Sequence, residues 1–90
     1  MIELYTKSNC PKCEVAKRIL KECLAKRNLG YNAVVLEKNA DKGDIMTEMI
    51  MLGALSTPVI KIGDEIIMSH QLDILKEKIE AINFELITAR

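Results

Sequence analysis

Apolar and polar positions alternate over residues 2–6, Ile-Glu-Leu-Tyr-Thr, which predicts a short strand. Ser8 and Asn9 are helix-capping residue types. Pro11 suits a first helical turn, where its missing N–H costs nothing. Apolar residues then recur at Val15, Ala16, Ile19, Leu20, Cys23 and Leu24, the stripe of a helix with one buried face. Lys17, Arg18, Lys21 and Lys26 take the outer face. The spacing predicts a helix from Pro11 to about Arg27, ending before Gly30.

Ala33 to Leu36 reads as a second strand, and Asn39 to Gly43 as a polar loop. Asp44 is the expected cap of a second helix, Ile45 to about Leu52, with Gly53 as its stop. Val59–Ile62 and Glu65–Met68 read as a hairpin closed at Gly63-Asp64. From Ser69 a last helix carries Leu72, Leu75, Ile79 and Ile82, while Asn83 to Arg90 has no deciding pattern. The order is β-α-β-α-β-β-α. The first two strands flank a crossover helix and are expected to be parallel; the last two are antiparallel. This is an α/β chain with a four-stranded mixed sheet, expected to form one domain over residues 1–90.

Composition narrows the function classes. Of 90 residues, 49% are hydrophobic and 29% charged, which argues against disorder. No apolar run approaches the roughly 20 residues of a membrane span, and 13 basic residues balance 13 acidic ones. Neither nucleic acid nor a membrane is therefore an expected partner. Met1 to Lys7 lacks the apolar stretch of a signal peptide, so the expected compartment is cytoplasmic. Residues 1–42 carry nine basic and five acidic side chains, and the remainder four and eight. That split reads as solvated helix faces, or more sharply as a basic rim near the N-terminus.

Three cysteines, at 10, 13 and 23, do not make a disulfide scaffold; they point to redox chemistry or metal. Cys10 falls at a helix start, where free backbone N–H groups and the helix dipole favour a thiolate. Lys7 and Lys12 add positive charge beside it. Cys13, one turn on, is placed to resolve a mixed disulfide. The rival reading is a metal or iron–sulfur cluster held by the same thiols. It lacks the second ligand pair that four-coordinate sites use. Cys23 lies ten residues beyond Cys13, about 15 Å along the helix, and reads as core. His70 reads as a surface or capping residue, and Met46, Met49 and Met51 as packing.

The run Lys7-Ser8-Asn9-Cys10-Pro11-Lys12-Cys13 resembles the Lys-x-x-Cys-Pro-x-Cys of the glutaredoxin branch of the thioredoxin superfamily. Gly53-Ala54-Leu55-Ser56-Thr57-Pro58 stands where that family has a helix-ending glycine and then Thr-Val-Pro with a cis proline. The order of elements also matches. The resemblance implies a thioredoxin-like fold and a thiol-disulfide oxidoreductase, with Cys10 as nucleophile and Cys13 as resolving thiol. It implies substrate contacts at Lys7, Pro11, Lys12, Thr57 and Pro58, the Thr57 backbone being turned outward to pair with a bound peptide or glutathione. It further implies a monomer that acts on disulfide-containing proteins and holds neither cofactor nor metal. Glutathione or a thioredoxin-reductase-type donor would be its external reductant. Two departures stand out. Lys12 replaces a frequent tyrosine. Met68-Ser69-His70-Gln71 replaces the Gly-Gly segment and following Asp with which glutathione-using members hold the glutamyl group.

Overall fold

A computed structural model describes residues 2–81. Strand β1 (Ile2–Thr6) leads into helix α1 (Pro11–Ala25). A one-turn helix α2 (Tyr31–Val34) runs directly into β2 (Val35–Asn39), and α3 (Gly43–Met51) follows. Strands β3 (Val59–Ile62) and β4 (Glu65–Ile67) precede a 3₁₀ segment, Ser69–Ile74, and α4 (Leu75–Glu80). The sheet order is β2-β1-β3-β4. β1 runs parallel to β2 and antiparallel to β3, and β3–β4 is an antiparallel hairpin. This is the expected mixed four-stranded α/β sheet of thioredoxin-like type.

Several boundaries differ from the sequence expectation. Ala33 and Val34 are helical, and the second strand begins at Val35. The Ala33 N–H donates to Gly30 C=O at 3.1 Å, and this single turn buries Val34. The strand then runs on through Glu37, Lys38 and Asn39, which pair with Leu4, Tyr5 and Thr6. The expected strand ends at Leu36 and the expected loop begins at Asn39; an edge strand needs little apolar surface, so its polar second half carries no apolar signal. Helix α1 stops at Ala25. Asn28 takes the left-handed conformation (φ 58°), and the Leu29 N–H returns to Leu24 C=O at 2.9 Å, so the cap precedes Gly30. Helix α3 starts at Gly43 with Lys42 as N-cap, which leaves Asp44 inside the first turn. Gly53, at φ 85°, ends that helix as expected. β4 closes at Ile67 rather than Met68. The expected last helix is split into a 3₁₀ segment and α4. Gln71 has non-helical angles, and its side-chain Oε1 accepts the Met68 N–H at 2.9 Å. Ile82 and the tail 83–90 lie outside the described residues.

Alternation along β1 builds two cores. Ile2 and Leu4 face α1 and α4 and join Leu20, Cys23, Leu24, Ile60, Ile62, Leu75 and Ile79, all buried. Each such side chain contributes about 1.5–3 kcal/mol relative to exposure. On the other face Tyr5 joins Ala40, Met49, Ala54 and Val59 beneath α3. Helix α3 is too short to cover that face, and charged groups complete it. Lys38 Nζ lies 2.6 Å from Glu3 Oε1 and also bonds Glu48, while Lys61 pairs with Glu3 at 3.6 Å. The Tyr5 hydroxyl donates to Glu48 at 2.8 Å. Burial, with the Glu48 carboxylate, pushes Tyr5 up to about 12. Lys38, and secondarily Tyr5, hold Glu48 below its usual range.

Candidate active site

The chain leaves β1 at Thr6 and turns through Lys7, Ser8 and Asn9 into α1. Asn9 adopts φ 55°, a left-handed conformation that asparagine tolerates better than most residues. Cys10 follows as the N-cap (φ −118°, ψ 96°). Its Sγ accepts the Cys13 N–H at 3.1 Å, and its carbonyl accepts the N–H groups of Cys13 and Glu14 at 3.1 and 3.3 Å. Cys10 and Cys13 are joined as a disulfide. Cys13 is buried beneath the helix start, whereas Cys10 is half-buried and borders solvent. The sulfur that can meet a partner is therefore Cys10, at the end of the helix where negative charge is favoured. Pro11 occupies the first helical turn, and Pro11, Lys12 and Lys7 are all exposed around Cys10.

The second motif lies against the first. The Thr57–Pro58 bond is cis, and Pro58 is fully buried. Cys10 Sγ lies 3.5 Å from Thr57 Oγ1 and 3.9 Å from the Thr57 carbonyl oxygen. Two grooves meet at Cys10. One, of about 880 Å³, is polar and runs past Lys7, Asn9, Glu14 and Lys17 towards Glu37. The other, of about 530 Å³, runs past Lys12, Met46, Met49, Leu55 and Thr57. Leu55 stands 84% exposed beside this second groove, an apolar side chain left in water next to the reactive sulfur. The basic rim proves smaller than the charge count implied. Lys17 pairs with Glu37 at 3.5 Å and Glu14 at 3.6 Å, and Lys38 is taken up by the sheet-face cluster.

Cys23 is buried in the core, and desolvation pushes its thiol up, as suits a packing residue. His70 is exposed beside a small groove it shares with Gly53, Leu55, Ser56 and Met68. Among the described residues no group of three or more His, Cys, Asp or Glu side chains is placed to hold a metal ion. Among them also, no helix is long and apolar enough to cross a membrane.

Sequence reasoning passed over two arrangements. Ser56 Oγ and Ser69 Oγ lie 2.8 Å apart and link the loop before Pro58 to the turn after β4. Asp41 Oδ2 accepts the Ser8 N–H at 3.2 Å and also bonds the Ser8 hydroxyl. That hydroxyl holds the Asp41 carboxyl below its usual range, with the Ser8 N–H and Lys7 adding to the effect. In the sequence Ser8 reads as a helix-capping residue type. Nothing local marks a partner 33 positions away.

The glutaredoxin family model matches residues 2–67. Two solved structures are similar in fold. A mutant of the thioredoxin-like protein BC3987 superposes with a TM-score of 0.64 at 23% identity, covering 86% of this chain and 96% of that one. The second is the glutaredoxin-like protein NrdH-redoxin from Escherichia coli, described as having a thioredoxin-like activity profile. It gives a TM-score of 0.57 at 21% identity, covering 84% and 91% of the two chains. No curated protein sequence matches the chain. A family match running from the first strand through the hairpin, over a sheet of this order and a Cys pair at its helix start, means that the chain belongs to the glutaredoxin family.

Proposed function

We propose that the protein is a dithiol electron carrier that reduces disulfides in other proteins. The observation that carries this reading is the half-exposed Cys10 at the N-cap of α1, bonded to a buried Cys13. In the reduced protein the Cys10 thiolate attacks one sulfur of a partner's disulfide. The partner's S–S bond breaks, its other sulfur leaves as a thiolate that takes up a proton, and a mixed disulfide forms. The Cys13 thiolate then attacks the Cys10 sulfur, releases the partner's second thiol and closes the Cys10–Cys13 disulfide. Two electrons have passed to the partner, and a donor must return two. Lys7, Pro11, Lys12 and Thr57 line the grooves at Cys10 and form the substrate-contacting set in this proposal; Pro58, expected among them, is fully buried.

We further propose a protein donor of thioredoxin-reductase type rather than glutathione. Side chains stand at Met68 and Ser69, where glycines would let a small peptide approach the backbone closely. The Met68 N–H is already bonded to Gln71, and Ser69 to Ser56. The thioredoxin-like activity profile described for the NrdH-redoxin, itself glutaredoxin-like, agrees with such a donor. A reduction assay with two electron sources in parallel tests both points. Turnover of a protein disulfide with thioredoxin reductase is expected, and little turnover with glutathione and its reductase. The reverse preference would overturn the donor assignment. No turnover with either source would overturn the carrier reading.

A further inference from the structure

The turn that delivers Cys10 is held in place from outside. Asn9 lies in the left-handed region, which asparagine reaches at lower cost than most residues but which still leaves the turn other conformations to choose from. Immediately before it, both the N–H and the hydroxyl of Ser8 bond to one carboxylate oxygen of Asp41. Asp41 is exposed, but its backbone is tied down. Its own N–H donates to Asn39 Oδ1 at 2.8 Å, and the neighbouring Ala40 N–H donates to the Thr6 carbonyl at 2.8 Å. Thr6 and Ala40 are both buried, so the clamp is anchored on the sheet. The Cys10 side therefore has two fixed points: Asp41 upstream and the α1 N–H groups downstream.

We propose that Asp41 is a positioning residue for the Cys10–Cys13 pair: by clamping Ser8 it holds the Asn9 turn in the form that presents Cys10 to Cys13. The clamp removes conformational freedom from the dithiol before the ring closes, so it raises the effective concentration of one sulfur at the other. This inference rests on the reading that the two cysteines cycle between dithiol and disulfide.

The test measures the equilibrium between dithiol and disulfide against dithiothreitol buffers at pH 7, by alkylation and mass counting. Wild type, Asp41→Ala, Asp41→Asn, Ser8→Ala and the Ser8→Ala/Asp41→Ala double variant are compared. Losing the clamp in Asp41→Ala is expected to lower the closure constant about fivefold, the size of one net hydrogen bond, or about 20 mV for a two-electron couple. Asp41→Asn keeps an oxygen that accepts both Ser8 donors and should restore most of that loss. Ser8→Ala should lower the constant about twofold, and the double variant no further than Asp41→Ala, since both changes remove one interaction. An Asn variant as impaired as Ala would mean that Asp41 acts through its charge, and would overturn the proposal. So would an unchanged Ala variant, or additive losses in the double variant. If Asp41→Ala does not fold, Ser8→Ala at its exposed position decides alone: an unchanged constant overturns the proposal. The carrier reading fails separately, if the wild type cycles with dithiothreitol yet reduces no protein disulfide.

Discussion

Replacing Thr57 by valine isolates one contribution to the reactivity of Cys10. Valine keeps the branched shape but removes the hydroxyl that sits 3.5 Å from Cys10 Sγ. Once the disulfide is reduced, that hydroxyl can turn its proton to the thiolate and join the Cys13 N–H, 3.1 Å away. A hydrogen bond to a charged group contributes about 1.5–3 kcal/mol. A polarizable sulfur acceptor at this distance, bordering solvent, calls for the lower end, about 1.5 kcal/mol. At roughly 1.4 kcal/mol per pH unit, Thr57→Val should move the Cys10 titration up by about one unit. The assay follows thiolate absorbance in the ultraviolet against pH in the reduced protein, with Cys13→Ser as background so that one sulfur titrates at the helix start. Thr57→Ser, which keeps the hydroxyl, should titrate close to the parent. Coincident curves for the valine and threonine proteins would refute the argument and leave the helix N-terminus as the source of thiolate stability.

Cys10→Ser should abolish disulfide reduction, whereas Cys13→Ser should still attack and accumulate a mixed disulfide, visible by mass spectrometry as the added mass of the substrate. Glu48 is held below its ordinary 4.5 by Lys38 and then Tyr5, so its contribution to folding is full above that pH and is lost as pH falls through the lower, folded-state value. Glu48→Gln should accordingly show a smaller drop in urea midpoint between pH 7 and strongly acidic buffer than the parent; an equal drop would mean that the cluster does not favour the carboxylate. Leu20 is completely buried between α1 and the sheet, so Leu20→Ala should lose about 2–5 kcal/mol in urea unfolding while leaving the redox equilibrium of the Cys pair unchanged.

The sheet and the reactive pair were legible because each rests on a local pattern. Alternation marks β1, Gly63 (φ 59°) marks the hairpin turn, and Cys-Pro-x-Cys coincides with a helix start. Cys23 was legible as core from its place on the apolar stripe. The errors have two physical sources. Ala33 and Val34 look like strand on their own, but registry with β1 begins at Ile2 opposite Val35, and the residues before it close a helical turn. The split of the last helix depends on Gln71 reaching back to Met68, a side-chain competition that apolar periodicity does not register. The Ser8–Asp41 clamp is a tertiary contact between two ordinary polar residues; alone, Ser8 reads as a helix cap and Asp41 as loop.

The two faces of the sheet are secured unequally, and this has a consequence for amide hydrogen exchange. The face under α1 and α4 is a continuous apolar layer, whereas α3 contributes Met49 as its one buried residue and is tied down further by the Glu48 link. Opening that lifts α3 exposes only the smaller core of Tyr5, Ala40, Met49, Ala54 and Val59 and leaves the larger one intact, so it costs less free energy than global unfolding. Amides of α3 should therefore exchange well before those of β1 and α1, and faster still in high salt, which screens the Lys38–Glu48 pair. Met46 on α3 and Leu55 just beyond it line one groove at Cys10, so that wall belongs to the most easily opened part of the molecule. The sulfur itself, capping α1, stays with the slowly exchanging part. A partner thus meets a fixed nucleophile beside a yielding wall.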